Sequence, residues 1–326
     1  MIPEARLQRA LAARAALLDD KHEGAWRLFN GFTEGWPELA VDVLARTLIV
    51  HDYAAEPLNT EALAALIAMY REALPWLAAA VVKPRQADLQ ARRGRALFGQ
   101  PDRRLREDGV RYAVDVLLNR DTGFYLDTRG LRAWLRANAA DKTVLNAFAY
   151  TGSLGAAALA GGAAGVVQLD RARSFLNIAK ETYTLNGFPI HKADFVVEDF
   201  FIAASRWRRA GRTFDLVLLD PPPFAESVAG VVDLQAAYGR LLNKARPLVA
   251  DGGALIAINN ALFSSGADFL RVIEAASADG YLSLEATLPV PPDLLGFGDA
   301  PRAWPTDPMP FNHPTKIAVV RVRRKA

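Results

Sequence analysis

The chain has 326 residues, 51% of them hydrophobic, a length and composition that suit two domains with sizeable cores. Its formal net charge is +3 and its sequence pI is about 9.1, values that permit a nucleic acid as partner without establishing one. The chain has no cysteine, which excludes disulfides, thiolate metal sites and cysteine nucleophiles, and its four histidines argue against a histidine-rich metal site, so no metal is expected.

The first predicted element is an amphipathic helix within residues 1–21, with Leu7, Leu11 and Leu18 near one face. Charged residues are spread along this segment, which lacks the continuous apolar core of a signal peptide. Apolar runs elsewhere stop well short of the ~20 residues that span a membrane. We therefore expect a cytoplasmic protein without membrane contact.

Residues 22–117 are predicted to form a small mixed α+β domain that could bind substrate. The stretch "LAVDVLARTLIVHDY" indicates two strands around a turn near Ala45. Helical spacing of apolar residues follows over residues 59–77, and Asp108-Gly109 predicts the turn of a later hairpin.

Residues 118–326 alternate between strand and helix patterns. The predicted strands are "KTVLNAFAY", "GVVQLD", "ADFVVEDF", "TFDLVLLD", "GALIAINN" and "TKIAVVRV". Helices are predicted between them, among them residues 233–249 and 267–279. This alternation predicts a mostly parallel, doubly wound α/β sheet.

Ligands of such sheets bind beyond the carboxyl ends of the strands, so the residues that follow each strand are the candidates for function. After the first strand comes "NAFAYTGSLG", in which Gly152 and Gly155 allow a tight turn and a close approach of backbone amides. The spacing is not GxGxxG, which disfavours a nicotinamide dehydrogenase. A tight turn with close helix packing is the alternative interpretation.

Carboxylates end the next two strands. Asp170, about twenty residues after the glycine turn, suits both hydroxyls of a ribose, with a helix cap as the alternative. Asp199 could accept the exocyclic amine of an adenine, with a solvated loop acid as the alternative.

The fourth strand ends in "DPPPF". The prolines that follow Asp220 fix φ and remove backbone donors, so nearby carbonyls can face the cleft. Phe224 offers a face on which a flat ring can stack. A rigid loop with a buried phenylalanine is the competing interpretation.

Three motifs, "RDTGFYLDTR", "LNAFAYTGSLG" and "DLVLLDPPPF", resemble class I S-adenosylmethionine-dependent methyltransferases. The resemblance is closer still to the bacterial 23S rRNA base methyltransferases of the cytosine-5 and guanine-N7 group, and it covers roughly Ala25 to Asn260. It implies a Rossmann-like class I methyltransferase sheet in residues 118–326, with a smaller N-terminal α+β domain. We expect the family's N-terminal PUA module to be absent from this sequence, with only the first helix in its place.

The resemblance implies S-adenosyl-L-methionine as the cofactor and RNA, ribosomal above all, as the partner. It assigns catalysis to the strand-end turn, namely Asp220, Pro221, Pro222 and Phe224. It assigns cofactor binding to Tyr125, Asp127, Arg129, Asn146, Phe148, Ala149, Tyr150, Thr151, Gly152, Asp170, Arg171, Asp199 and Asp220. For Tyr125, Asp127 and Arg129 a capped helix start is the alternative.

Methylation of cytosine at carbon 5 needs a thiolate, which this chain lacks. Where such relatives carry the thiol, the sequence has Asn259 and Asn260, which could read a base edge or simply cap a strand. A base nitrogen is therefore predicted as the acceptor. The ending "INNALFSSG" resembles the guanine-N7 branch of the family, which favours N7, with an exocyclic amine as the alternative. A small molecule or a protein is the alternative acceptor, and a binding module that has lost catalysis is the alternative class.

The proline-rich segment 289–314 predicts a substrate lid in which Phe311 and His313 stack a flipped base. Hydrophobic anchoring of the loop is the alternative. Arginine clusters, including residues 206–209 and 321–324, could follow phosphates, although solvated surfaces commonly carry such groups.

Overall fold

The computed structural model describes residues 2–88, 90–222, 224–227, 230–233, 238–261, 264–297 and 315–324, with the backbone alone over 224–227 and 230–233. These residues divide into two compact units. The first contains the described residues up to Leu126 and also 291–297, and the second contains Asp127–Val290 and the described carboxyl-terminal residues. No helix in these ranges is long and apolar enough to cross a membrane.

The first unit is built on a five-stranded sheet in the order β1-β2-β3-β4-β5, with a separate β6–β7 hairpin. Its strands are β1 (Ala25–Asn30), β2 (Leu39–Leu44), β3 (Thr47–Asp52), β4 (Ala79–Pro84), β5 (Arg95–Phe98), β6 (Arg104–Glu107) and β7 (Val110–Ala113). Its first helices are α1 (Glu4–Arg14), α2 (Gly31–Glu34) and α3 (Thr60–Ala73). The predicted hairpin turn is confirmed, since Asp108 and Gly109 have φ of 47° and 86°, the left-handed region that a two-residue turn requires.

The second unit is built on a seven-stranded sheet in the order β10-β9-β8-β11-β14-β16-β15, with a separate β12–β13 hairpin. Its strands are β8 (Thr143–Ala147), β9 (Gly165–Asp170), β10 (Phe195–Val197), β11 (Phe214–Leu219), β12 (Phe224–Ser227), β13 (Gly230–Asp233), β14 (Val249–Asn259), β15 (Leu282–Leu288) and β16 (Lys316–Val322). Its helices are α4 (Arg129–Asn138), α5 (Ser153–Ala160), α6 (Arg173–Asn186), α7 (Phe200–Arg209), α8 (Tyr238–Ala245) and α9 (Gly266–Ser277). The parallel β10–β9–β8–β11–β14 pairing confirms the predicted doubly wound sheet.

Two sequence-based predictions about this unit need correction. The pattern predicts one helix over residues 233–249, yet among the described residues Asp233 ends a strand, Gly230–Asp233, that pairs with Phe224–Ser227, α8 covers Tyr238–Ala245, and Val249 begins β14. The β-branched pair in "GVVD" favours a strand, and a partner strand lies directly upstream. Strand β15 is missing from the predicted elements, although "LSLEATL" alternates apolar and polar residues as a half-buried strand does; it pairs antiparallel with β16.

The segment after β15 returns to the first unit as the short helix α10 (Pro292–Leu295). Asp293 is 1% exposed, and its carboxylate accepts a hydrogen bond from the Arg27 amide at 3.0 Å. Arg14, also fully buried, donates to Glu34 and to the Asp293 carbonyl. The first residues of the proline-rich segment are therefore held by buried, charge-assisted hydrogen bonds.

A buried cluster of Arg27, Asp42 and His51 lies on the first sheet, with Asp42 4% exposed. The Asp42 Oδ2 atom is 2.9 Å from the His51 Nε2 atom, and Arg27 pairs with both carboxylate oxygens. Burial alone would raise the pKa of Asp42, but the Arg27 charge and the His51 hydrogen bond lower it well below its ordinary value.

Replacing Asp42 with asparagine is expected to lower the free energy of unfolding by about 3 kcal/mol, because the largely buried Arg27 charge loses its partner. Urea denaturation at pH 7 measures this. A lowered carboxylate pKa stabilises the fold at neutral pH, and that stabilisation is lost as the pH falls, so the difference between the two proteins should shrink in acid. Asp102→Asn, at the exposed pair with Arg46, is the control and should cost far less. Equal losses in both variants would contradict the expectation.

Candidate active site

The carboxyl ends of the parallel strands meet at one edge of the second sheet, and most of the candidate residues follow those ends. Strand β8 runs into the turn at 148–152, β9 ends at Asp170, β11 is followed by Asp220, and β14 ends at Asn259. Strands of one parallel sheet place these positions side by side.

The turn between β8 and α5 has an unusual backbone. Phe148, Tyr150 and Gly152 have φ of 59°, 51° and 76°. Bulky residues in the left-handed region are strained, and such strain concentrates at functional sites. The surrounding contacts hold it: the Phe148 ring packs on Phe200 with centroids 5.2 Å apart, and the Tyr150 ring packs on Phe175 at 4.5 Å.

A buried network of side-chain amides makes hydrogen bonds beneath this turn and to it. Asn146, 1% exposed, donates to the Gln168 Oε1 atom at 2.8 Å. The Gln168 Nε2 atom lies 3.2 Å from the Gly152 carbonyl oxygen and 3.1 Å from the Tyr183 Oη atom. Sequence reasoning missed Gln168, although a fully buried glutamine in an otherwise apolar strand is a polar residue that needs a partner.

Substituting Gly152 with alanine is expected to cost about 2 kcal/mol of unfolding free energy and to weaken cofactor binding. The new Cβ would lie 2.6 Å from the Ala179 Cβ and would also strain the left-handed backbone. Thermal unfolding and calorimetric titration measure the two effects.

Gly187→Ala is the matched control for this substitution. Gly187 has φ of 70°, and its added Cβ would meet no atom within 4 Å, so the variant carries the backbone strain without the clash. It should cost less than Gly152→Ala and leave cofactor affinity unchanged. If the two variants lost stability equally, the close packing at Gly152 would be unimportant.

Asp170 and Asp199 both bind backbone amides. The Asp170 carboxylate accepts from the amides of Tyr150 and Ala172, each at 2.8 Å, so it joins the strained turn to the start of α6. Burial raises the pKa of Asp170 against the opposing effect of these amides. The Asp199 Oδ1 atom accepts from Phe201 and Ile202 at the start of α7. A carboxylate offers about four lone-pair positions, so both side chains retain capacity for a ligand's donors.

Asp220 follows β11 and is partly buried, with its Oδ1 atom fully buried. That oxygen accepts no hydrogen bond from the described residues, and neither does the buried Oδ1 of Asp127. Burial, with a smaller contribution from the Asp127 charge, raises the pKa of Asp220 to about 7. Thr315 donates to the Asp127 Oδ2 atom at 2.5 Å across 188 positions of sequence, a contact that sequence reasoning missed.

The asparagine pair after β14 divides into two roles. The Asn259 Oδ1 atom accepts from the Ala261 amide at 3.0 Å, and Asn259 is 2% exposed, which is the local role that the alternative interpretation gave it. The Asn260 Oδ1 atom is buried without a hydrogen-bond partner in the described ranges. Lys316 donates hydrogen bonds to the carbonyls of Ala261 and Ser264, which come after the asparagine pair.

The remaining candidates are distributed as follows. Tyr125 belongs to the first unit, where its hydroxyl lies 3.1 Å from the Asp121 Oδ2 atom. In the second unit, Ala149, Thr151 and Pro221 are buried, Arg129 is half-buried, and Arg171 and Pro222 are exposed. The side chain of Phe224 and all of Phe311 and His313 lie outside the described residues.

The donor and acceptor set at this edge suits a cationic nucleoside. Two buried carboxylate oxygens, on Asp127 and Asp220, lack hydrogen-bond partners among the described residues and would be compensated by a positive ligand. Carboxylates at the ends of β9 and after β10 suit ribose hydroxyls and an exocyclic amine. S-adenosylmethionine combines these features, since its sulfonium is positive and its nucleoside is adenosine.

Comparison with known proteins supports this assignment. Residues 26–302 match the family described as S-adenosylmethionine-dependent methyltransferase. The ribosomal RNA large subunit methyltransferase I of Aeromonas salmonicida is 31% identical over 282 residues, which are 84% of this chain and 70% of that protein. The protein of the same name from Klebsiella pneumoniae is 29% identical over 280 residues, 85% of this chain and 70% of the relative.

Solved structures show the same fold. SMU.776, crystallised in complex with SAH, has a TM-score of 0.83 and 24% identity, with 98% of this chain and 80% of that chain covered. The tRNA m1G37 methyltransferase of M. jannaschii has a TM-score of 0.58 and 15% identity, with coverage of 99% and 80%. The chain belongs to the S-adenosylmethionine-dependent methyltransferase family, and it is an enzyme whose cofactor is S-adenosyl-L-methionine.

Proposed function

We propose that this enzyme methylates a nitrogen of an RNA base, with large-subunit ribosomal RNA as the substrate. The observation that carries the proposal is Asp220, whose buried Oδ1 lacks a hydrogen-bond partner among the described residues and stands at a strand end before consecutive prolines. Such an oxygen suits a hydrogen donor on a flat heterocycle. The chain has no cysteine, so the thiolate route to carbon 5 of cytosine is closed.

The cofactor, when bound, supplies an electrophilic methyl group on its sulfonium. We assign its methionine part to the turn at 148–152, its ribose hydroxyls to Asp170 and its adenine amine to Asp199. The Asp199 Oδ1 atom is engaged in capping α7, so its Oδ2 atom is the one that faces the amine in this proposal. Asp127, held by Thr315, adds negative charge beside the sulfonium.

The acceptor lies against Asp220 in this proposal, and two nitrogen types fit. Guanine N7 attacks through an in-plane lone pair and releases no proton. An exocyclic amine releases a proton after transfer, and Asp220, with its pKa raised to about 7, can accept it. Transfer to either nitrogen proceeds in line, so positioning by the rigid turn contributes to the rate. Asn260, with a buried oxygen free of hydrogen bonds from the described residues, is available to read the base edge.

An RNA acceptor is supported by the relatives, which are ribosomal RNA methyltransferases by name. The pI of about 9.1 is compatible with that partner. Mass spectrometry of large-subunit rRNA nucleosides from cells with and without the gene tests the proposal, together with methyl transfer from labelled cofactor to protein-free rRNA in vitro. We expect one methylated base to disappear in the deletion strain and to be restored by the purified enzyme. Unchanged rRNA together with transfer to a small molecule or a protein would overturn it.

A further inference from the structure

The opposite edge of the catalytic sheet carries a basic cavity that methyl transfer does not use. Residues that line it come just before β11, β14 and β15 and at the end of β16, which runs antiparallel to β14. These positions are the amino ends of the parallel strands. At about 3.3 Å per residue, the cavity lies roughly 25 Å along the strand direction from Asp220.

Five arginines line this cavity of about 410 Å³, with no lysine and no acid among its lining residues. The arginines are Arg208, Arg212, Arg246, Arg323 and Arg324. Guanidinium groups bind phosphate oxygens in bidentate geometry, which a lysine cannot do. The composition of the lining therefore favours a phosphate-bearing ligand.

Most of this charge is not neutralised by the protein. Asp279 pairs with Arg246 at 2.6 Å, and Asp251 accepts from the backbone amide of Arg324. Within the described ranges, the guanidinium groups of Arg208, Arg212 and Arg323 pair with no carboxylate. These three charges are available to a ligand.

Two of the arginines are held in place by contacts that leave their charge intact. The Arg212 guanidinium lies over the rings of Trp207 and Phe214, 5.4 Å and 4.9 Å from their centroids. Arg324 donates to the carbonyls of Val249 and Pro247. Arginines oriented in this way lose less side-chain entropy on binding than free surface arginines do.

We propose that this cavity binds the phosphate backbone of the RNA substrate, away from the methylated nucleotide. The inference rests on the proposed RNA acceptor and adds a second contact to it. It makes the catalytic domain touch RNA at both edges of its sheet, so only an RNA that extends ~25 Å beyond the target base reaches the cavity. Short RNA substrates therefore bind without contacting the cavity.

The test compares a triple variant, Arg208→Gln, Arg212→Gln and Arg323→Gln, with a control variant, Arg209→Gln, Arg240→Gln and Arg271→Gln. The control removes the same charge from exposed arginines of the same unit that do not line the cavity. The probes are a trinucleotide and an RNA hairpin of roughly 12 base pairs, which as an A-form helix is longer than the ~25 Å between the target base and the cavity. Fluorescence anisotropy over a range of salt concentrations gives the affinities.

We expect the cavity variant to bind the hairpin at least about tenfold more weakly than the control variant does, with a salt slope smaller by about 2 to 3. Both variants should bind the trinucleotide and the cofactor as the wild type does. Equal hairpin affinity in the two variants would overturn the inference and leave the proposed function standing. Failure of the wild type to bind either RNA, with cofactor binding intact, would overturn both. Competition by polyglutamate as effective as that by RNA would reassign the cavity to an acidic protein and also overturn it.

Discussion

Replacing Asp220 with asparagine is expected to reduce methyl transfer at least about 100-fold while it makes the fold more stable at pH 8. The residue is partly buried, its Oδ1 lacks a hydrogen-bond partner among the described residues, and burial followed by the Asp127 charge raises its pKa to about 7. Asparagine keeps the shape but removes the charge. A single-turnover assay with labelled cofactor measures transfer, and urea denaturation measures stability.

The expected gain in stability follows from the pH dependence of the free energy of unfolding. Between the ordinary pKa of an aspartate and about 7, the folded protein holds the Asp220 proton that the unfolded chain releases. The free energy of unfolding therefore falls as the pH rises through that window and then levels off above it. Asp220→Asn should flatten this part of the profile and gain on the order of 2 kcal/mol at pH 8.

Asp215→Asn is the control for Asp220, because Asp215 lies near the start of β11, at the opposite edge of the sheet from Asp220, which follows the end of β11. Its carboxylate accepts from the Thr143 amide at 2.8 Å and the Thr143 hydroxyl at 2.7 Å, so its loss should lower stability and spare transfer. The two variants are thus expected to change stability in opposite directions. Full transfer by Asp220→Asn would show that the carboxylate has no part in the reaction.

Replacing Asp170 with asparagine is expected to raise the dissociation constant of S-adenosyl-L-methionine by about 100-fold with little change in the melting temperature. The carboxylate holds the Tyr150 and Ala172 amides and is assigned to the ribose hydroxyls, and hydrogen bonds to a charged group contribute about 1.5–3 kcal/mol each. Burial raises the pKa of Asp170, so removing the charge relieves a desolvation cost that offsets the lost bonds in the unliganded fold. Isothermal titration calorimetry and thermal unfolding measure the two quantities.

Asp279→Asn provides the comparison for Asp170. Asp279 accepts from the amide two residues ahead, Tyr281, at 3.1 Å, as Asp170 does from Ala172 at 2.8 Å, but it lies before β15, at the other edge of the sheet. Its substitution should leave cofactor affinity unchanged. Should Asp170→Asn bind the cofactor as tightly as this control, the ribose assignment would have to be abandoned.

Much of the catalytic unit could be predicted from the sequence because the relevant signals are local. Alternating strand and helix patterns predict a parallel sheet, and a parallel sheet brings its strand ends to one edge. For that reason the order of strands and helices along the chain is enough to predict that Asp170, Asp220 and Asn259 lie along one edge of the sheet. The same local logic predicts the Asp108-Gly109 turn, since that dipeptide tolerates left-handed backbone.

The sequence is less informative where pairing or strain depends on distant partners. Strand β15 leaves the apolar Leu284 exposed, and it joins the sheet by antiparallel pairing with β16, which lies more than twenty residues further along the chain. The positive φ angles of Phe148 and Tyr150 are uncommon for aromatic residues, and they persist because Phe200 and Phe175 pack against those rings.

By itself, the sequence determined the alternation of strands and helices, the carboxylates that follow the strand ends and the absence of a thiol nucleophile. Only the tertiary structure decided that Gln168 supports the glycine turn, that Thr315 holds Asp127, and that Asp220 carries a raised pKa. The physical reason is the separation along the chain of the groups that interact. Periodicity and turn chemistry act over a few neighbouring residues, whereas desolvation and buried hydrogen bonds depend on groups brought together from distant parts of the chain.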